Sequence, residues 1–329
     1  AELFRSEKTD EEILDFLLNY HKNDIADMMA GMTEEERKRL YHLLGAQKVA
    51  EIFKYIEEPR KYIRELSVES AARVISEMDS DDAVDLLEDL DPEEKEQIVR
   101  MLDEDAKKDV KMLLSYDEEE IGSCMTTNYI CIPENLTIRQ AMSELVKQAG
   151  ENDNIMTIYV VDEKGVFAGA IDLKDLIRAR ENAHLEDLVL KSYPYVTDHE
   201  KIDDCMDRIL DYAEDSIPVL SEDKKILGVI TSEDLIEMVD NEMGEDYAKL
   251  AGLTAEEDLK EPTLQSMKKR LPWLIILLFL GMGVSTVVGA FEGVVAVLPV
   301  VICFQSLILD MAGNVGTQSL AVTIRVLMD

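Results

Sequence analysis

Basic side chains are scarce in this chain. Lys and Arg number 34 against 70 Asp and Glu, a formal net charge of −36. That balance argues against nucleic acid as a partner, because binding a phosphate backbone needs Lys and Arg. Cysteine is sparse too. Cys124, Cys131, Cys205 and Cys303 form no C-x-x-C pair and have no histidine at zinc-site spacing. They read as reduced, structural thiols in a cytosolic setting. The first twenty residues lack a basic start followed by an apolar run, so no signal peptide is expected. Nothing in the first 120 residues resembles a catalytic constellation, and the expectation is that the chain is not an enzyme.

Charge of either sign is nearly missing from the end of the chain. Residues 271–329 hold one basic residue, Arg325, and three acids, Glu292, Asp310 and Asp329. The first 270 residues therefore carry 33 basic and 67 acidic side chains, a net of −34. This is two physical objects in series, one suited to water and one to lipid. A soluble part so acidic repels itself unless cations screen it. A merely solubilising surface is the plainer alternative.

What fills residues 1–122 is a repeat. Large apolar residues recur every twelve positions at Tyr20, Met32, Leu44 and Ile56, then, after a slip of two, at Leu66, Met78, Leu90, Leu102 and Leu114. Helix-starting residues follow several of them: Thr33, Ser67, Asp79, Asp91 and Asp103. Asp91-Pro92-Glu93-Glu94 combines an N-cap, Pro at the first helical position and a capping acid. Helices this short cannot bury their faces alone, so the spacing predicts a small α-solenoid. Its outer face is expected to be acidic, through Glu34, Glu35, Glu36, Asp81, Asp82, Asp85, Glu88 and Asp89.

The period changes near Gly122. An extended segment from Tyr129, a helix over 138–148, a strand over 155–161, a turn, a strand over 167–171 and a helix from Leu173 form one unit. The same order repeats with Tyr195-Val196, 202–212, 216–220, 226–230 and a helix from Ser232. Gly169-Ala-Ile-Asp-Leu-Lys-Asp175-Leu aligns with Gly228-Val-Ile-Thr-Ser-Glu-Asp234-Leu. The pair, placed at 123–182 and 183–239, resembles two cystathionine-β-synthase (CBS) modules. That resemblance implies an adenine-nucleotide cleft, with Asp175 and Asp234 toward ribose and Thr231 toward phosphate. Asp172 stands where the first module would be expected to have a hydroxyl. The alternative for both aspartates is that they start helices.

Residues 240–269 read as a long connecting helix whose first turns carry Asp240, Glu242, Glu245 and Asp246. Lys268-Lys-Arg270 then precedes twenty uncharged residues, 271–290, enough to span about 30 Å of bilayer core. The basic triplet places the preceding 270 residues in the cytoplasm. An outer turn is expected at 291–293, and a second membrane helix returns. Its far end, from Asp310 to Ser319, carries carboxylate, amide and hydroxyl groups, which are costly in hydrocarbon and usually face a polar pathway. Asp310, Gly313, Asn314, Gly316 and Gln318 are the candidate pore residues, with the glycines letting backbone carbonyls approach a hydrated ion.

The run Gly313-Asn-Val-Gly-Thr-Gln-Ser319, preceded by two CBS modules and an acidic helical array, resembles the MgtE family of magnesium transporters over the whole chain in domain order. The approach to the motif here is Asp310-Met-Ala, where many members are Gly-rich. The resemblance implies an α-solenoid N domain, an α/β CBS pair, a connecting helix and an α-helical membrane domain of five helices, of which residues 270–329 supply the first two, so the sequence is expected to be a piece. It implies a multi-pass plasma-membrane homodimer, gated by cytosolic Mg²⁺ and open to modulation by ATP or another adenine nucleotide. Candidate metal residues are Asp240, Glu242, Glu245, Asp246, Asp89, Asp91 and Asp234. Two rivals stand beside it: a membrane-anchored, adenylate-sensing CBS protein, and a transporter of Mn²⁺ or Co²⁺. Cys303 is the one soft ligand near the pore segment.

Overall fold

The computed structural model describes residues 9–56, 58–150, 152–180, 183–239, 263–297 and 299–327. The chain divides into two compact units, 1–238 and 239–329.

The first unit opens with α1 (Asp10–Leu17), α2 (Lys22–Ala30), α3 (Glu34–Phe53), α4 (Pro59–Ile63), α5 (Val68–Ile75), α6 (Ser80–Glu88), α7 (Pro92–Met101) and α8 (Glu104–Leu113). All five expected residues stand at helix starts, and three of them form side-chain caps; Asp79, before α6, does not. Thr33 makes a capping box with Glu36, Ser67 accepts from the Ser70 amide, and Asp103 accepts from the Ala106 amide. Gly45, just past Leu44, breaks α3 with a φ of 78° that a side chain would strain. α5 packs on α3 and α7, and α6 on α8, the alternating contacts of a helical array. Leu40, Phe53, Ile63, Ile75, Leu87 and Leu113 are buried between them.

Two sequence expectations change here. Tyr20, between α1 and α2, is exposed. Asp91 sits at the N-cap of α7 but makes no capping hydrogen bond; its carboxylate pairs with Arg60 and Arg64 instead. A different long-range tie holds α3. The Arg37 guanidinium bonds both oxygens of Glu65 and also donates to the carbonyls of Met29 and Met32 at the end of α2.

Each CBS module is a three-stranded sheet with helices. The first has β1 (Ile130–Pro133), α9 (Ile138–Gln148), β2 (Thr157–Val161), β3 (Phe167–Asp172) and α10 (Leu173–Arg178). The second has β4 (Val196–Thr197), α11 (Ile202–Tyr212), β5 (Ser216–Leu220), β6 (Ile226–Thr231) and α12, described over 232–239. In both, the first pair of strands is parallel and the second antiparallel, and a register shift falls at matching places, Val160/Val161 and Val219/Leu220. The glycine of the repeated motif has a steric reason. A Cβ on Gly169 would lie 2.5 Å from the Leu190 carbonyl, and one on Gly228 would lie 2.7 Å from the Thr126 carbonyl. Tyr159 ties the modules together: its hydroxyl lies 2.6 Å from Ser216 Oγ and its ring meets the edge of Tyr193, which donates to the Ser216 carbonyl at 2.7 Å within the second module.

The second unit is helical: α13 (Thr263–Ala290), α14 (Glu292–Val297) and α15 (Pro299–Leu327). α13 begins before the basic triplet, so the last residues assigned to the connector belong to it. Ser266–Ala290 within it is long and apolar enough to cross a membrane. The expected turn at 291–293 contracts to Phe291, because Glu292 already starts α14.

Candidate functional site

The amphipathic pattern of α6 sorts its side chains. Ala83, Val84, Leu86 and Leu87 go into the array, leaving Asp81, Asp82 and Asp85 on another face. That face meets the second CBS module. Asp81 and Asp82 are only partly accessible there, while Glu34, Glu35, Asp85, Glu88 and Asp89 of the expected acidic outer face are exposed. Opposite them stands the start of α12. There the Asp234 carboxylate accepts from the Thr231 amide at 2.7 Å, and the Asp234 amide donates to Thr231 Oγ1. This is a capping box, so Asp234 does start a helix.

Burial pushes the Asp82 carboxyl up to about 7; Lys54 opposes the rise, and Asp79, Asp234 and Asp85 add to it. Burial takes Asp85, at the open edge, up to about 6, with Glu237, Glu88, Asp89 and Asp234 contributing. Asp81 is raised well above the ordinary range, by burial first and the Asp234 carboxylate second. The ammonium that faces these acids is Lys54, 3.1 Å from Glu233 and 3.7 Å from Asp79. The balance stays negative, which adds to burial in making the acids hold their protons. Asp81 Oδ1 and Asn154 Nδ2 are buried with no hydrogen-bond partner. Both residues line a cavity of about 280 Å³ together with Lys54, Asn128, Thr231 and Asp234. A neighbouring cavity of about 680 Å³, against the first CBS module, has Glu51, Glu77, Asp103, Asp105 and Asp109 in its wall and, among the described residues, no Lys or Arg.

Of the candidate metal residues, Asp234 lies in this cluster, Asp89 lies at its edge as the C-cap of α6, and Asp91 is away from it with its arginines. Asp240, Glu242, Glu245 and Asp246 fall outside the described residues. Among the described residues, no group of three or more His, Cys, Asp or Glu side chains is arranged to hold a metal ion directly. Thr231 and Asp234 share one cavity, whereas Asp175 is exposed on α10 and does not join them. Asp79, Asp81, Asp82, Asp85 and Lys54 were not singled out as a site by sequence reasoning. Their spacing shows a helix with a polar face but not what covers that face.

In the second unit the polar run does not end the helix; it continues α15. Asp310, Gly313, Asn314, Thr317 and Gln318 fall on one helical stripe at spacings of three and four. Gly316 lies off that stripe. The Gly313 carbonyl accepts from Thr317 Oγ1 at 3.0 Å, so it is turned along the helix and engaged there. The stripe therefore presents carboxylate and amide groups more than free carbonyls.

Residues 20–119 match the family model of the MgtE intracellular N domain, and residues 119–182 and 185–241 match that of the CBS domain. The magnesium transporter MgtE of Enterococcus faecalis is 40% identical over 318 residues, covering 95% of this chain and 70% of that protein. The chain spans about half the length of two further curated relatives that it matches. A crystal structure of the soluble part of a magnesium transporter superposes with a TM-score of 0.68 at 31% identity, covering 71% of this chain and 93% of that one. The cytosolic domain of the Mg²⁺ channel MgtE, solved in complex with ATP, gives 0.63 at 26% identity, covering 70% and 94%. With its helical array, its paired CBS modules and this identity along nearly its whole length, the chain belongs to the MgtE family.

Proposed function

We propose that this chain is the sensing part and the first membrane-spanning part of a Mg²⁺ transporter whose sensor closes when cytosolic Mg²⁺ enters the acidic contact between α6 and the second CBS module. The observation that carries the reading is Asp81, a buried carboxylate with an unpartnered oxygen set against the carboxylate of Asp234. A buried group of this kind is costly without a counter-charge. Mg²⁺ supplies one and keeps several of its waters, so it can bridge carboxylates that do not converge into a direct ligand set. The same oxygen-only chemistry favours a hard cation over Co²⁺; Mn²⁺ remains the competitor to include in the assay.

The relatives named as magnesium transporters support the cargo, and Asp310, Asn314 and Gln318 on α15 are the residues assigned to its path. The span at Ser266–Ala290, with Lys268-Lys-Arg270 at its start, supports a membrane protein whose preceding residues are cytoplasmic. Function as a homodimer, in more than one membrane pass, with no enzymatic step, belongs to the same reading. So does a coupling role for Asp240, Glu242, Glu245 and Asp246. Adenine-nucleotide binding at Thr231 and Asp234 is a second part of it, supported by the related domain solved with ATP. The acids around that cavity would repel a bare triphosphate, so the nucleotide is expected to arrive with its Mg²⁺.

Protease protection of the full-length protein tests the lock. Rising Mg²⁺ should protect the cytosolic part at concentrations where NaCl of equal ionic strength does not. Equal protection by Na⁺ would mean general screening and would remove the lock. Flux of Mg²⁺, Mn²⁺ and Co²⁺ into liposomes tests the cargo separately.

A further inference from the structure

One cavity in the helical array has the opposite electrical character to the rest of the soluble unit. It has a volume of about 550 Å³ and takes Lys38, His42 and Arg73 into its wall along with Tyr41, Ser67 and Ser70. Its one acid, Glu65, is already neutralised, because Arg37 bonds both of its oxygens. Arg73 has no carboxylate partner among the described residues; its guanidinium donates to Ser70 Oγ at 3.3 Å. Lys38 pairs with Glu34 one turn away, an exposed contact of 2.5 Å that an incoming anion can displace. Ser67 and Ser70 stand at the N-terminus of α5, where the helix dipole favours negative charge. Gly45, at the break in α3, leaves open space where a Cβ would stand.

An independent observation points to a missing acceptor. Tyr41 is 7% exposed, and its hydroxyl has no hydrogen-bond partner. Arg37 is close by, but a guanidinium only donates, so it cannot supply the acceptor that the Tyr41 hydroxyl proton needs. Buried hydroxyls are normally satisfied, so this one lacks an acceptor in the wall of a cavity that otherwise offers cations and hydroxyl donors.

We infer that this cavity binds a dianionic phosphate group, free or carried by a small phosphomonoester. Arg73 and Lys38 are its charge partners, Ser70, whose hydroxyl accepts from Ser67 and Arg73, donates to its oxygens, and His42 and Tyr41 are further donors. Four oxygens can use this many donors at once, whereas a carboxylate offers two. Val49, Leu66 and Val74 also line the cavity and leave an apolar wall for an organic body. The inference does not depend on the cation lock at α6.

Calorimetric titration of the full chain in nanodiscs, free of divalent cations, with inorganic phosphate against chloride at matched ionic strength tests it. Saturable binding is expected, weakened at least ten-fold in Arg73→Ala and in Lys38→Ala. It should be unchanged in Arg100→Ala, which removes an exposed arginine on α7. Tyr41→Phe should weaken binding while raising the melting temperature without phosphate. Glycerol 3-phosphate separates the sources: tighter binding than inorganic phosphate assigns the site to phosphomonoesters, and equal or weaker binding assigns it to the free ion. Absence of saturable binding overturns the inference. So does binding that survives both Arg73→Gln and Lys38→Ala in variants whose circular dichroism matches the parent.

Discussion

Burial and the carboxylate of Asp234 together raise the proton affinity of Asp81, whereas Asp234, itself raised by burial, is relieved by Thr231 and Lys54. If Mg²⁺ enters the contact between the helical array and the second CBS module, as proposed, it must compete with protons for the same carboxylates.

The first prediction is proton release. Asp82 titrates near 7 and Asp85 near 6, both above the ordinary carboxylate range. A carboxyl with a raised folded pKa favours folding and docking when protonated, and this contribution is lost as pH rises through the folded value. Without Mg²⁺, the docked form should loosen between about pH 5 and 7. Adding Mg²⁺ near pH 6.5 should release protons, seen as a binding enthalpy that changes with the ionisation enthalpy of the buffer. An enthalpy independent of buffer would place Mg²⁺ elsewhere.

The second prediction removes charge from the lock. Asp82→Asn keeps the shape but deletes one carboxylate facing Asp79, Asp234 and Asp85. The variant should resist protease with less Mg²⁺ than the parent, and its proton release should fall. If Asp82→Asn needs as much Mg²⁺ as the parent, Asp82 is outside the sensor.

How much of this could be read in advance differs by residue. Thr33 and Ser67 announce helices because a hydroxyl before a helical run meets its own first turn, a purely local event. Gly169 and Gly228 showed up as a repeat, but their reason, a close carbonyl from a distant segment, is tertiary. Asp91 kept its place at a helix start while its side chain went to Arg60 and Arg64, partners about thirty residues away. The acid cluster was hidden for the same reason. Nothing local distinguishes an aspartate facing water from one facing another module.

The third prediction concerns the array itself. Leu102 is 4% exposed between helices, so Leu102→Asp buries an unpaired charge and should lower stability by several kcal/mol. Thermal melting of the full chain reads this out. A variant that melts like the parent would contradict the repeat packing.

The fourth prediction is a pH dependence that persists when Mg²⁺ saturates the lock. His199 Nδ1 lies 3.0 Å from Glu120, and Glu120 and Asp198 raise its pKa. A histidine with a raised folded pKa stabilises below its unfolded value, near 6.5, and loses that contribution as pH rises through the folded one. At high Mg²⁺ the parent should loosen slightly as pH rises above about 6.5. His199→Gln should lose that slope.

The fifth prediction separates the stripe on α15 from its flank. Asp310, Asn314 and Gln318 recur every four residues, so their side chains share a face, and Val315 points elsewhere. If the stripe lines the ion path, the amide of Asn314 meets the hydrated ion through its carbonyl oxygen, which leucine cannot replace. Asn314→Leu in the full-length protein should abolish Mg²⁺ flux into liposomes while leaving the protease protection of the sensor intact, because the array and CBS modules are untouched. Val315→Leu changes the neighbouring position without changing polarity and should conduct like the parent. Loss of flux in both variants would point to disturbed helix packing instead of a lost ligand. Normal flux in Asn314→Leu would put the stripe off the pathway, and the acids of the sensor would then be regulating a pore built from other residues.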